Sequence, residues 1–250
     1  MDRIAVISDI HGNLTALKTV LTDIQEKGIT TIWCLGDIRG KGKHAEECLA
    51  LTEKVCEVRL LGNHEEFKNP AIDLPFCHEA MISGRLVRLF HSSPKKTDKM
   101  MFGAFFPPDQ LYSWFLPSER TVSSKTADVV VFGHIHTPFM TKCYHRLLIN
   151  DGSVGNGIEA CWDEKRNGNV KATALSTYVI LSGIKDSDNW EDPFSVEFVS
   201  LPYDIEKELE GCDDTSLREE LTKGWYRDQP KLQRYLEKAK NKLMGEMKNG

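Results

Sequence analysis

VISDIHGN, Val6 to Asn13, runs from apolar residues straight into an aspartate, with a histidine two positions later. Read as the end of a strand, it gives Asp9 and His11 the same parity, so both side chains point to one side of an extended chain. A carboxylate and an imidazole held together there suit a metal, a catalytic pair, or no chemistry at all. The helix and strands after this stretch decide the fold. From Leu14 the apolar positions Leu14, Leu17, Val20, Leu21 and Ile24 recur at helical spacing, Asn13 stands where an N-cap is wanted and Gly28 supplies a stop, which predicts an amphipathic helix. TTIWCL (Thr30 to Leu35) reads as a strand ending at GDIRGKG, a helical stretch runs from about Lys43 to Lys54, and VCEVRLL ends at GNHEE. Strand, polar loop and helix in alternation make a βαβαβ unit, and parallel strands collect functional groups at their C-terminal ends.

Farther along, RLVRLFHSS (Arg85 to Ser93) and DVVVFGHIH (Asp128 to His136) read as two more strands ending in histidines. Between them lies a segment holding Phe102, Phe105, Phe106, Tyr112, Trp114 and Phe115. It reads either as a loop and short helix at the mouth of a site, on which a nucleobase stacks, or as a packed crossover. RLLIN, ATALSTYVIL and FSVEFVSLPY are expected to build a second sheet. From Asp204 the chain is charged and helical in pattern, with DDTSLREEL opening a helix at Asp or Thr. Residues 1–203 are therefore read as one domain and 204–250 as a helical C-terminal appendage packed on it.

A chain of 250 residues buries a sizeable core. Its net charge of -5 and dispersed basic residues predict no stable nucleic-acid complex, leaving small anionic molecules as partners. No apolar run approaches the roughly 20 residues a bilayer span needs, and MDRIAVIS reads as a strand rather than a signal peptide, so a cytoplasmic protein without membrane contact is expected. Seven cysteines, odd in number and without a CxxC pair, predict reduced thiols rather than a disulfide framework or a structural zinc module.

The polar residues that end strands are Asp9, His11, Asp37, Asn63, His64, His91, His134 and His136, and they include five of the eight histidines. Ionisable groups crowded at one sheet edge repel one another or go unpaired, and divalent cations remove that difficulty. Imidazole with carboxylate suits manganese, iron, zinc, cobalt or nickel better than magnesium or calcium, and the absence of thiolate excludes copper(I) and iron-sulfur chemistry. Gly12, Gly36, Gly62 and Gly133 are expected to let the backbone turn sharply at the strand ends. GDIRGKG is not a phosphate-binding P-loop, because no Ser or Thr follows its GK.

DIHGN, GDIRGKG, GNHE, HSSP and GHIH, in that order, resemble the calcineurin-like metallophosphoesterase superfamily. DGSVGN (Asp151 to Asn156) and LPYD (Leu201 to Asp204) resemble its small bacterial phosphodiesterase branch. The resemblance implies an α/β fold, a four-layer α-β-β-α sandwich of two mixed sheets flanked by helices. It implies two divalent transition metal ions, manganese first, one held by Asp9, His11 and His136 and the other by Asn63, His91 and His134, with Asp37 bridging them. His64 is the implied catalytic residue beside the scissile phosphate. Arg39 and Lys41 are candidates to reach a substrate phosphate, Lys41 standing where phosphoprotein phosphatases of the superfamily carry arginine; as solvated loop charges they would do nothing. The implied function is hydrolysis of a small phosphodiester, nucleotide or dinucleoside polyphosphate. A phosphomonoesterase or protein phosphatase on the same site is the alternative, and a metal-free binding scaffold is the rival of another class. The sequence departs from the branch at Glu65, in place of an aspartate that would orient His64, and at Asp151, in place of a proline.

Overall fold

A computed structural model describes residues 1–68, 73–101, 108–162 and 168–223, together with 234, 237, 238 and 241. The elements in chain order begin with β1 (Asp2–Ile7), α1 (Leu14–Glu26), β2 (Thr31–Cys34), α2 (Ala45–Val55), β3 (Val58–Arg59), α3 (Asn63–Lys68), β4 (Cys77–Ile82), β5 (Arg85–Phe90) and α4 (Pro108–Tyr112). They continue with β6 (Val129–Phe132), β7 (Phe139–Cys143), β8 (Arg146–Asn150), β9 (Ile158–Trp162), β10 (Gly168–Ala172), β11 (Leu175–Gly183), β12 (Ser195–Pro202), α5 (Ile205–Leu209) and α6 (Thr215–Lys223).

Two five-stranded mixed sheets, β12-β11-β1-β2-β3 and β4-β5-β6-β8-β7, stack face to face, and β9 and β10 form a separate hairpin. Alternation along β1 shows why. Ile4 and Val6 belong to the core between the sheets with Trp33, Leu89, Val129 and Val131, whereas Ala5 and Ile7 turn outward onto Ala16, Leu17 and Val20 of α1. In β6 the neighbours Val130 and Phe132 face outward into a third core, with Trp114 and Phe115. Each sheet thus buries both faces, and the order of layers is helix, sheet, sheet, helix and aromatic segment. None of the described helices is long and apolar enough to cross a membrane. Among the described residues six cysteines are free thiols.

α1 runs where its periodicity predicts, with Asn13 accepting a hydrogen bond from Ala16 N at 3.0 Å. The second sheet is composed differently from expectation. RLLIN (β8) lies in the second sheet, as expected, where it pairs with β6, but β11 and β12 join the first sheet, where β11 pairs antiparallel with β1, Ala5 opposite Ile180. The cause is the chain's own alternation: Val179 and Leu181 complete the core between the sheets while Tyr178 and Ile180 cover α1. Of the aromatic segment, Trp114 and Phe115 are buried core and Trp114 Nε1 donates to Ser92 O at 3.2 Å, which is the packed-crossover role. Phe102, Phe105 and Phe106 lie outside the described residues, as does most of 224–250.

Candidate metal centre

β1 stops at Ile7, so Asp9 and His11 do not share a strand face. They meet because both adopt left-handed backbone, φ 51° and 52°, and Asp37, His134 and His136 do the same at 51°, 66° and 59°. Five non-glycine residues in that region mean strain held in place by surrounding bonds. The loops after β1 and β2 are laced together by Asp9 N to Gly36 O at 3.1 Å, His11 N to Asp37 O at 2.9 Å and Gly12 N to Ile38 O at 2.9 Å. Of the four strand-end glycines, Gly12 and Gly36 do take positive φ. Gly62 and Gly133 are there for space: a Cβ on Gly62 would lie 2.2 Å from Asp37 Oδ1, and one on Gly133 2.5 Å from Asp9 Oδ2.

Each aspartate has one oxygen tied down and one aimed inward. Asp9 Oδ2 accepts from Ser8 Oγ at 2.7 Å and His134 N at 2.8 Å, while Oδ1 lies 3.1 Å from His136 Nε2, 3.7 Å from His11 Nε2 and 3.9 Å from His91 Nε2. Asp37 Oδ1 accepts from His64 N at 2.8 Å, and Oδ2 stands 3.4 Å from His91 Nε2, 3.9 Å from His11 Nε2 and 4.0 Å from His64 Nε2. The histidines are oriented from behind. His91 Nδ1 donates to Leu35 O at 3.0 Å and His136 Nδ1 to Asn156 O at 2.6 Å, which turns the Nε2 lone pairs toward the carboxylates.

The donor set fits metal. Asp9 Oδ1 is buried yet makes no hydrogen bond, despite its nearness to His136. His11 Nε2 and His136 Nε2 face each other at 3.0 Å. The amide position held by Asn63 Oδ1 is 2.9 Å from His134 Nδ1, 3.1 Å from His91 Nε2 and 3.2 Å from Asp37 Oδ2, so with His91 neutral, as a metal ligand must be, an oxygen there faces only acceptors. Electron pairs converging without protons between them need a cation. Ligand atoms group as Asp9, His11 and His136 on one side and Asp37, His91 and His134 on the other, with His11, Asp37 and His64 a third set between them, each set within 4.8 Å.

The electrostatics carry the same demand. Burial opposes charge on Asp9 and Asp37, yet the facing imidazoles, His136 and His91 for the first and His91 for the second, hold both carboxyls below the usual range. Burial also disfavours charge on His91, but Asp37 and Asp9 push it up to about 10. His134 is pushed down to about 3 by burial and by His91, and His11 is lowered by burial and by His136. One proton on His91 therefore offsets two carboxylates, a task a divalent ion would take over.

His64 lies at the partly exposed rim, with burial lowering its pKa. Lys68 Nζ donates to His64 Nδ1 at 3.4 Å, which places the ring proton on Nε2, the atom facing Asp37. Glu65, expected to orient His64, has another job. Its carboxylate accepts from Asp37 N (2.8 Å), Ile38 N (3.0 Å), Arg39 N (3.1 Å) and Gly62 N (3.1 Å), which fills its acceptor sites and shapes the loop carrying Asp37. Arg39 pairs with exposed Glu46 at 2.7 Å. Lys41 pairs with Glu220 of α6 at 2.8 Å, away from solvent. Asp151 is buried, has Oδ1 2.8 Å from Ser8 Oγ, whose own proton serves Asp9, and has its carboxyl raised by burial and by Asp9. Ser8, Asn156 and Glu65 hold ligands or their loops, and sequence reading assigned them no such part; only the position of Asn156 inside DGSVGN was a signal.

The calcineurin-like phosphoesterase superfamily domain matches residues 3–166. The uncharacterized protein MJ0912 of Methanocaldococcus jannaschii is 30% identical over 251 residues, covering 83% of this chain and 90% of that one. Among solved structures, a metallophosphoesterase from Sphaerobacter thermophilus superposes with a TM-score of 0.62 at 22% identity, covering 90% of this chain and 99% of that one. The hypothetical protein PH1004 from Pyrococcus horikoshii OT3 superposes with a TM-score of 0.61 at 16% identity, over 90% of this chain and 95% of that one. Both show the same fold. With its histidines and aspartates converging as a metal-dependent site requires, the chain belongs to the calcineurin-like phosphoesterase superfamily and is a hydrolase of phosphate esters.

Proposed function

We propose that the centre holds two divalent transition metal ions, manganese first, with iron, zinc, nickel or cobalt also suited, and hydrolyses a small phosphodiester or the phosphoanhydride of a nucleotide or dinucleoside polyphosphate. The observation that carries this reading is that His11 of one ligand set and His91 of the other both face the inward oxygen of Asp37. Asp9, His11 and His136 would hold one ion, Asn63, His91 and His134 the other, with Asp37 shared. When bound, such ions acidify water and neutralise phosphate oxygens. His64, with its proton on Nε2 at the rim, donates a hydrogen bond to the charge developing on the leaving oxygen and, in its imidazolium form, protonates it, which an alkoxide requires. Arg39, paired with the solvated Glu46 on the loop that carries Asp37, is the candidate cation for a substrate phosphate. The preference for diesters and anhydrides over monoesters rests on the resemblance of DGSVGN and LPYD to the small phosphodiesterase branch.

The test is a manganese titration of chelator-stripped protein, followed by turnover of bis(p-nitrophenyl) phosphate, p-nitrophenyl phosphate and dinucleoside polyphosphates. Two ions per chain and faster cleavage of diester or anhydride are expected. Cleavage of the monoester alone would make the protein a phosphomonoesterase, and failure to bind manganese would make it a scaffold.

A further inference from the structure

We propose that Glu220, on the C-terminal helix α6, is a positioning residue of the metal centre: it holds Lys41, and through Lys41 the loop that carries Asp37. This rests on the metal reading of Asp9, His11 and Asp37. The superfamily match ends at residue 166, so α5 and α6 lie beyond the domain that defines the family. They make a small apolar cluster of their own, Leu209, Leu217 and Leu221, and from it two carboxylates turn inward. Glu208 and Glu220 are 2% and 1% exposed. Glu208 Oε2 accepts from Thr15 N at 3.0 Å, two residues past the cap of α1, and Glu220 Oε1 accepts from Lys41 Nζ at 2.8 Å. Each buried carboxylate therefore meets a donor just beyond one of the two ligand loops, after β1 and after β2.

Lys41 is well placed to transmit a pull. It stands between two glycines that leave no room. A Cβ on Gly40 would lie 2.3 Å from His11 Nδ1 and 3.0 Å from His64 Nδ1, and one on Gly42 would lie 2.6 Å from Gly12 O. Gly42 N also donates to His11 O at 2.6 Å. A shift of a few tenths of an ångström at Lys41 is passed directly to His11 and to the rim histidine. Behind this contact a cavity of about 10 Å³, lined by His11, Lys41, Asn156, Glu208, Leu217 and Leu221, is at the lower limit for a single water, so the helices close this flank of the centre.

The experiment uses the full chain, stripped of metal, with wild type, Glu220→Gln and Glu220→Asp. Manganese affinity is read by calorimetry, and kcat and KM are read separately on one diester. Glu220→Gln should bind manganese at least about tenfold more weakly, as for other residues that orient ligands, and should lose kcat with KM little changed; Glu220→Asp should recover part of both. Because Glu220→Gln takes a buried carboxylate partner from Lys41, the variant can fail to fold. The double variant Lys41→Met/Glu220→Met removes both charges and should show the same weakened manganese binding with a near-native melting temperature. Wild-type manganese affinity in either folded variant overturns the proposal. So does a fall in KM with affinity unchanged, which would return Lys41 to the substrate. Absence of manganese binding in the wild type is a different failure, that of the metal reading itself.

Discussion

One oxygen of Asp37 is tied to the backbone and the other faces both ligand sets, so this is the side chain whose loss the centre should tolerate least. Asp37→Ala is expected to lose both ions, and two tightly bound ions found in it by elemental analysis would remove the bridging assignment. His64 makes no such demand on the ions. His64→Asn should keep them and lose roughly 10²- to 10⁴-fold in turnover on a poor leaving group, the range for general acid catalysis. The loss should shrink with p-nitrophenolate; equal losses on good and poor leaving groups would leave His64 only an electrostatic part. Asp151 is a third case. Burial and the neighbouring Asp9 raise its carboxyl well above 3.8, so the stability it contributes is present below that value and lost as pH rises through the raised one. Asp151→Asn, which keeps a hydrogen-bond partner for Ser8, should raise the melting temperature of the metal-free protein at pH 8 more than at pH 4; no pH trend in that difference would mean Asp151 folds ionised. The candidate ligands were legible because each sits in a short motif at a strand end. The raised carboxyl of Asp151 was not, since it arises from burial and from Asp9, which is distant in sequence.

At the scale of elements, α1 could be read to within a residue because its apolar period and its cap are local. Sheet membership could not: β11 sits beside β1 because Val179 and Leu181 face one core and Tyr178 and Ile180 another, a choice made by the partner layers. β3 reads as a seven-residue strand but is regular only at Val58 and Arg59, its pairing continued by Leu60 N to Cys34 O at 2.8 Å. The turns after the strands were expected to need glycine for conformation, and at Gly133 the need is room. Gly133→Ala would set a methyl 2.5 Å from both Asp9 Oδ2 and Ser8 Oγ, against backbone with ordinary φ. It should weaken manganese binding about tenfold or more by shifting Asp9, and cost about 1–3 kcal/mol through overpacking. Gly28→Ala is the control. Its φ of 68° strains an alanine, but nothing lies within 4 Å of the new methyl, so it should destabilise while leaving manganese affinity unchanged. Equal affinities in the two variants would mean that Gly133 does not set the position of Asp9.

For the whole molecule, the buried cluster makes metal and proton compete, and the sign of each group fixes how. His11 and His134 are lowered below 6.5 in the folded protein, so acid must charge them on unfolding and the stability they contribute falls as pH drops below 6.5, for His134 through about 3. Asp9 and Asp37 are lowered below 3.8 and add to the loss at the acid end. His91 runs the other way. Its folded value of about 10 lies above 6.5, so its contribution is complete below 6.5 and disappears as pH rises through 10. Metal-free protein should therefore be most stable near pH 6.5. A metal ligand must be a neutral imidazole, so manganese binding displaces the His91 proton and strengthens as pH rises across the same window. An ion present at 100 times its Kd stabilises the folded state by about 2.7 kcal/mol, and a tighter Kd at higher pH enlarges that. The rise in melting temperature caused by a fixed manganese concentration should accordingly be small at pH 6 and grow steadily to pH 9, with proton release on titration in weakly buffered solution. His91→Asn, which carries no titrating proton, should bind manganese more weakly and flatten the pH dependence. A manganese shift that is constant from pH 6 to 9 in the wild type would mean that the carboxylates are neutralised by something other than His91.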